Sequence, residues 1–282
     1  MNQQTEKKIP RWPRRILLTT GCILLLLITS FLILITTRSE APAPEETVQA
    51  ATPPSTPAPT PAPTPTPEPV WEPPAHFLEL HEENEDFVGW LSIGGTVIDF
   101  PVVQSSEEVP EFYLNRNFDK ESDTKGIPFL DARSHLEPES DLFIIYGHNL
   151  RNGTMFSPLL SYETWDFMDE HPYIRFDTMV GPGLYEVAAV FWYDASSPPT
   201  AFKPHYVFDW EDEESFAEYA AGINDCAFYE TGVELEYGDQ LLMLMTCDRR
   251  VIPDGRLIVL AKRVAEPSPL VANPDLYQSY RG

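Results

Sequence analysis

Three apolar runs of strand length in the second half of the chain constrain its fold more than any other feature. They cover residues 141–146, 240–246 and 256–262 and consist mainly of Leu, Ile, Val and Met. Runs this short and this apolar are typical of buried strands. Five further strands are predicted at 88–93, 96–103, 127–131, 174–178 and 183–193. Because Gly, Pro, Asn and Asp separate the runs at short intervals, we predict a mainly β protein, built as an antiparallel barrel or sandwich.

Helical spacing of apolar residues interrupts this pattern in three places. Residues 77–87 predict an N-terminal helix, and residues 154–168 predict a helix between the fourth and fifth strands. Residues 212–228 predict a long helix in the connection before the strand that ends at Cys247. The acid-rich stretch 209–214 suits the start of that helix, because carboxylates stabilise the positive end of the helix dipole.

A polar residue with catalytic chemistry stands at one end of each long run. His148 follows the first run, Cys247 follows the second, and Arg256 opens the third. A thiolate can act as a nucleophile, an imidazole can carry a proton near neutral pH, and a guanidinium can stabilise an oxyanion. These three groups, if they lie together at the strand ends, are suited to acyl transfer from a peptide.

The residues around these three resemble the sortases of Gram-positive bacteria, and class B sortases most closely. The resemblance rests on Tyr146-Gly-His-Asn149, on Thr246-Cys247 and on the strand that opens with Arg256, in that order. It extends over residues 77–264, with matching segments at 88–104, 113–118, 126–133 and 153–156. It implies a sortase-type antiparallel β-barrel with an N-terminal helix and a long helix in the connection before the cysteine strand.

The resemblance also implies a role for each of the three residues. Cys247 would be the nucleophile, His148 the general acid and base, and Arg256 the group that holds the carbonyl whose oxygen becomes negative. Arg249 and Arg250, in the loop after the cysteine, remain open as alternatives to Arg256. Each residue also has a purely structural interpretation, as a buried core cysteine, a turn histidine or a surface ion pair.

Four neighbouring residues are candidates for contact with the substrate or for support of the catalytic groups. Tyr146, Asn149 and Thr246 offer hydrogen-bonding groups beside His148 and Cys247. Asp248 is at most a modulator, because its charge would oppose ionisation of a nearby thiol and favour protonation of a nearby imidazole.

The remaining cysteines and histidines have no setting at a strand end of this kind. We expect Cys226 to be a buried apolar side chain near a helix end, although a disulfide between Cys226 and Cys247 would remove the nucleophile. Five histidines are interpreted as structural or surface residues: His76, His81, His135, His171 and His205.

The resemblance implies a cysteine transpeptidase that cleaves a C-terminal sorting signal of exported proteins. A thioacyl-enzyme would form and pass the acyl group to an amine of a peptidoglycan precursor. Signals of the Asn-Pro-X-Thr kind are typical of class B. The alternatives are a sortase that polymerises pilins through a lysine, and a non-catalytic wall-associated binding module.

A papain-like hydrolase fits this sequence less well. In that class the cysteine comes early and the histidine later, whereas here His148 precedes Cys247. No spacing of His, Cys and Asp is typical of a zinc site, and no phosphate-binding loop is present, so we expect neither a metal nor a cofactor.

The N-terminal segment predicts attachment to the cell membrane. Residues 16–35 are almost wholly apolar, long enough to cross a bilayer, and preceded by five basic side chains. The positive-inside rule predicts a cytoplasmic segment at 1–15, a transmembrane anchor at 16–37 and an extracytoplasmic remainder. A cleaved signal peptide is the alternative interpretation, although its apolar region is usually shorter.

Composition divides the rest of the chain. Residues 38–74 are rich in Pro, Thr and Ala and predict an extended linker of polyproline II character. We assign the catalytic domain to residues 75–264 and a tail to residues 265–282. The formal net charge of −25 argues against nucleic acid as a partner, since phosphate binding requires clustered Lys and Arg.

Overall fold

The computed structural model describes residues 71–198, 200–250 and 252–264. The predicted cytoplasmic segment, transmembrane anchor and C-terminal tail lie outside the described residues, as does most of the predicted linker. Within the part of the chain that is described, no helix is both long enough and apolar enough to span a bilayer. The organisation of the N-terminal segment therefore stays a prediction.

Eight strands form a closed barrel. They are β1 (Phe87–Ser92), β2 (Asp99–Gln104), β3 (Phe129–Leu130), β4 (Leu142–Tyr146), β5 (Tyr173–Thr178), β6 (Leu184–Asp194), β7 (Leu241–Cys247) and β8 (Gly255–Val264). Their order around the barrel is β1-β2-β3-β4-β7-β8-β6-β5, and β5 pairs with β1 to close it. The predicted β-barrel is confirmed. Two neighbouring pairs, β2–β3 and β4–β7, are parallel, which requires long connections between the paired strands.

The central strands are continuously apolar because both of their faces are buried. In β4, Phe143 and Ile145 belong to the cluster that fills the barrel. Leu142 and Ile144 belong to a second cluster on the outer face of the sheet. The same alternation continues in β7 and β8. Strands covered on both faces lose the polar alternation of a half-exposed sheet.

Three α-helices of the described residues accompany the barrel: α1 (Ala75–Glu83), α2 (Trp165–Glu170) and α3 (Glu213–Cys226). Asp212 caps α3, since its carboxylate accepts a hydrogen bond of 2.8 Å from the backbone N–H of Ser215. The buried face of α3 covers the outer cluster of β4, β6, β7 and β8. The predicted N-terminal helix and the long helix before the cysteine strand are therefore both present.

The helix predicted over residues 154–168 is wrong in type and extent. The chain forms a 3-10 helix at Ser157–Glu163, breaks at the extended residue Thr164, and then forms α2. The side chains by which the 3-10 helix and the residue before it fill the barrel are spaced by three, which matches the three-residue turn of a 3-10 helix. They are Phe156, Leu159 and Tyr162.

Candidate active site

Strand register brings His148 and Cys247 to the same end of the barrel. β4 and β7 run parallel, with Tyr146 paired to Met245. Two residues beyond this pair, the segment after β4 reaches His148 and β7 reaches Cys247. The backbone N–H of Gly147 continues the ladder with a 3.2 Å hydrogen bond to the carbonyl of Met245. The order of the two segments in the sheet, not their separation in sequence, therefore makes these residues neighbours.

Arg256 lies on the other side of Cys247. In the antiparallel pairing of β7 with β8, Cys247 stands opposite Arg256, and Arg256 stands opposite Tyr193 of β6. Side chains alternate between the two faces of a strand, so these three share the face that carries Met245 and Ile258. The proposed nucleophile and the proposed oxyanion donor thus emerge side by side on the outer face of the barrel.

Two polar side chains tie the ends of β4 and β7 together. The Thr246 hydroxyl donates to the carbonyl of Gly147 at 2.7 Å, and the Asn149 side-chain amide donates to the carbonyl of Cys247 at 3.0 Å. Thr246 is buried at 2% exposure. Both residues therefore connect the histidine segment to the cysteine segment.

The proposed catalytic residues line one cavity of about 560 Å³. His148, Cys247 and Arg256 all contribute to its wall. Tyr146 and Thr246 line it as well. A cavity of this volume is large enough to hold several residues of an extended peptide.

The imidazole of His148 is held by a backbone carbonyl. Its Nε2 lies 2.7 Å from the carbonyl oxygen of Leu114, in the 3-10 helix Phe112–Asn115. A carbonyl can only accept, so Nε2 carries the proton and Nδ1 is the basic nitrogen of the neutral ring. Leu114 also lines the cavity.

The three candidate arginines differ in the contacts that they make. Arg256 Nη1 donates to the carbonyls of Asp254 and Gly255, at 3.2 and 3.0 Å. Its other donors make no ion pair with a carboxylate in the described part of the chain. Arg250 is engaged in ion pairs away from the cavity. Arg249 is exposed and lines the cavity, so it remains an alternative to Arg256.

Asp248 points away from the thiol that precedes it. Its carboxylate is buried, and it accepts hydrogen bonds of 2.8 Å from both Nε and Nη2 of Arg250. These hydrogen bonds hold the pKa of Asp248 below its usual value, although burial opposes them. The carboxylate does not line the cavity. Arg250 neutralises its charge outside the cavity, so Asp248 influences Cys247 through the backbone that joins the two residues.

Tyr146 belongs to a buried polar cluster that sequence analysis did not identify. Its hydroxyl donates to Asp131 at 2.8 Å, and Arg133 donates to both oxygens of the same carboxylate. Burial would raise the pKa of Asp131, but the hydrogen bonds from Arg133 and Tyr146 hold it below its usual value. Burial raises the pKa of Tyr146. The Asp-x-Arg spacing that begins at the last residue of the strand predicted over 127–131 was the available signal.

His205 lines the cavity, although it was interpreted as structural or surface. It lies between β6 and α3, and its ring meets Tyr193 edge-on at 4.9 Å. Burial, together with the nearby charge of Arg133, lowers the pKa of His205 to about 4. Its Nδ1 has no hydrogen-bond partner among the described residues. No strand end marks this position, so no sequence pattern pointed to it.

The other cysteine and histidines lie elsewhere. Cys226 ends α3 and is exposed, so its predicted burial is wrong; Ile223 is the last buried residue of that helix. Cys226 and Cys247 are both free thiols. Four of the described histidines do not line the cavity: His76, His81, His135 and His171.

Comparison with known proteins identifies relatives of one kind. No family model matches the sequence. Sortase B of Listeria monocytogenes is 31% identical over 191 residues, covering 67% of this chain and 74% of the relative. Sortase B of Staphylococcus aureus is 27% identical over 193 residues, covering 68% of this chain and 75% of the relative.

Solved structures give the same result. Clostridium perfringens sortase B superposes with a TM-score of 0.59 at 27% identity, covering 67% of this chain and 99% of that one. A Staphylococcus aureus sortase B–substrate complex gives 0.59 at 26% identity, covering 68% and 85%. A sortase B complexed with triglycine gives 0.60 at 26% identity, covering 68% and 86%. The barrel and the strong sequence match agree, and the chain belongs to the sortase B family of cysteine transpeptidases.

Proposed function

We propose that this transpeptidase cleaves a C-terminal sorting signal of exported proteins and joins the new carboxyl end to an amine of a peptidoglycan precursor. The observation that carries the proposal is the register that places His148, Cys247 and Arg256 around one cavity. The substrate and triglycine complexes of the relatives support a peptide donor and an amine acceptor.

In the first half of the reaction, the Cys247 sulfur attacks the carbonyl carbon of the scissile peptide bond. The thiol proton passes to His148 Nδ1, which the contact of Nε2 with the Leu114 carbonyl leaves as the unprotonated nitrogen. The carbonyl oxygen becomes negative beside Arg256, which stands opposite Cys247. The intermediate then collapses as the C–N bond breaks, and the imidazolium gives its proton to the departing amine. A thioacyl-enzyme remains.

In the second half, a primary amine attacks the thioester carbon. His148 takes a proton from the amine, and Arg256 again stabilises the oxyanion. Collapse breaks the C–S bond, and the proton returns to sulfur. The products are a new amide and the free thiol, so no redox partner or metal enters the balance.

The edge of the cavity suits a cationic acceptor. Glu107 and Glu111, just before the 3-10 helix that carries Leu114, both line it. Free primary amines are mostly protonated at neutral pH, so carboxylates near the entrance would raise their local concentration. This feature supports an amine acceptor in either form, from a peptidoglycan stem or from a pilin lysine.

We place the enzyme at the cell membrane, held by the anchor at residues 16–37 with its N-terminus in the cytoplasm. The apolar segment and the basic residues before it support this location. Residues 38–74 would act as a semi-rigid spacer between the anchor and the catalytic domain.

The test uses the full chain in detergent with an Asn-Pro-X-Thr-type or a Leu-Pro-X-Thr-Gly-type peptide. Three acceptors are offered in parallel: oligoglycine, diaminopimelate and a lysine peptide. We expect mass spectrometry to detect ligated product from the wild type and from Cys226→Ala, and none from Cys247→Ala. Product from Cys247→Ala would overturn the proposed nucleophile. Hydrolysis without ligation for every acceptor would overturn the proposed transfer.

A further inference from the structure

One carboxylate outside the cavity joins the three chain segments that carry the proposed catalytic residues. Glu163 is the last residue of the 3-10 helix Ser157–Glu163. Its Oε1 accepts a hydrogen bond from Nη2 of Arg250 and another of 3.1 Å from Nε1 of Trp192. The side chain is 25% exposed, and it does not line the cavity.

Through Arg250, Glu163 reaches the segment of the nucleophile. Arg250 holds Asp248 by two side-chain hydrogen bonds of 2.8 Å to its carboxylate, and Asp248 follows Cys247 directly. The backbone N–H of Asp248 donates to the carbonyl of Gly255 at 2.9 Å. The Arg250 side chain therefore holds the start of the loop from β7 to β8, and Glu163 in turn holds Arg250.

Through Trp192, Glu163 reaches the strand beside the proposed oxyanion donor. Trp192 precedes Tyr193, which pairs with Arg256. The indole is also held by the ring of Phe228, with centroids 5.0 Å apart and nearly perpendicular planes. Packing against Phe228 therefore orients the indole N–H, and Glu163 accepts its hydrogen bond.

Through its own helix, Glu163 reaches the segment of the histidine. The backbone N–H of Phe156 donates to the carbonyl of His148 at 2.9 Å. The Phe156 ring packs against Gly147, where an added Cβ would lie 2.6 Å from it. Phe156 directly precedes the helix, whose side chains Leu159 and Tyr162 are fully buried in the barrel. The helix is therefore a rigid link from His148 to Glu163.

We infer that Glu163 is a positioning residue, which sets the thiol, the imidazole and the guanidinium relative to one another. The inference rests on the proposed function. Its physical basis is that reactive groups must be held closely in place, since a displacement of about 1 Å can cost about 10²-fold in rate. Glu163 contacts none of the three side chains and acts through the segments that bear them.

The experiment compares Glu163→Ala with Glu163→Gln in the full chain in detergent. Glu139→Ala is the matched control, because Glu139 forms a 3.0 Å ion pair with Arg263 at the opposite end of β8. Steady-state rates with the signal peptide are measured well below the unfolding temperature. Alkylation of Cys247 by iodoacetamide at pH 7 is followed on its proteolytic peptide.

We expect Glu163→Ala to lower kcat about tenfold or more, with KM within about twofold, and to slow alkylation severalfold. Glu163→Gln keeps an oxygen acceptor and should recover part of kcat. Glu139→Ala should match the wild type. The inference is overturned if Glu163→Ala keeps kcat and alkylation within twofold of the Glu139→Ala control.

A milder variant covers the case in which Glu163→Ala fails to fold. Trp192→Phe keeps an aromatic ring on Phe228 and removes only the hydrogen bond to Glu163, so we expect a smaller loss of kcat. An unchanged kcat and an unchanged alkylation rate would count against the inference. Alkylation needs no peptide. A wild type that forms no acyl-enzyme would therefore defeat the proposed function while the alkylation rates still decide the role of Glu163.

Discussion

Cys247 and Arg256 face each other across the last pair of the β7–β8 ladder, on the outer face of the barrel. Directly opposed residues in antiparallel strands have Cβ atoms about 4.5–5.5 Å apart. A carbonyl attacked by the thiol would therefore develop its negative charge within reach of the guanidinium. Backbone pairing of the two strands fixes the relation between these residues.

Removal of the guanidinium tests its role directly. We expect Arg256→Ala to lower kcat/KM by about 10²–10³, the usual cost of losing one oxyanion donor. Arg256→Lys should recover little, because a lysine lacks the planar set of donors. The measurement is steady-state cleavage of the signal peptide. A larger loss in Arg249→Ala than in Arg256→Ala would transfer the role to Arg249, which also lines the cavity.

The imidazole is the second group whose removal is informative. We expect His148→Gln to lower kcat by about 10²–10⁴, because the other histidine of the cavity wall, His205, has too low a pKa to replace it. Single-turnover formation of the acyl-enzyme measures this loss. His135→Gln, at an exposed histidine away from the cavity, is the control and should retain full activity. A His148→Gln enzyme within tenfold of the wild type would contradict the assigned role.

The glycine at the start of β8 tests how tightly the β7–β8 loop is closed. An added Cβ at Gly255 would press against the backbone carbonyl oxygen of Asp248, which cannot rotate away. We expect Gly255→Ala to lower the free energy of unfolding by about 1–3 kcal/mol and to reduce activity. Gly94→Ala is the matched control, since a Cβ there meets nothing within 4 Å. Urea unfolding measures the free energy of unfolding of both variants. Equal values for Gly255→Ala and Gly94→Ala would contradict the expected strain.

The half-buried histidine in the cavity wall, His205, predicts a loss of stability in acid. The pKa of His205 is about 4 in the folded chain, against an ordinary value of 6.5. Between these values the unfolded chain binds a proton that the folded chain does not, so stability is highest above pH 6.5 and falls as the pH drops toward 4. At pH 5 the full pKa difference would correspond to about 2 kcal/mol, and solvent screening at this partly exposed ring makes the loss smaller.

Unfolding at pH 7.5 and pH 5 measures that loss. We expect His205→Gln to lose less stability than the wild type between the two values. His135→Gln should lose as much as the wild type, because His135 is exposed. An identical pH dependence in His205→Gln and the wild type would show that the lowered pKa of His205 does not contribute.

The strands could be predicted from the sequence because β4, β7 and β8 are buried on both faces and so read as unbroken apolar runs. The same runs predicted where His148, Cys247 and Arg256 stand. Parallel pairing of β4 with β7 was not predictable from local pattern, since it depends on the whole order of strands.

The errors have separate physical causes. The apolar spacing over residues 154–168 predicts an α-helix, whereas the residues spaced by three belong to a 3-10 helix that packs into the barrel. Cys226 was assigned to the interior from its residue type, although the buried face of α3 ends at Ile223. Asp131 and His205 reach the cavity from connections between strands, and only the folded chain brings them there.

The most direct test of the proposed mechanism is whether the acyl part of the signal peptide becomes covalently attached to Cys247. The full chain is mixed with an Asn-Pro-X-Thr-type peptide without an amine acceptor, quenched in acid, digested and mapped by mass spectrometry. We expect a thioester-linked acyl group on the peptide that contains Cys247, in the wild type and in Cys226→Ala. An acyl group on another residue, or turnover of the peptide by Cys247→Ala, would contradict the proposed mechanism.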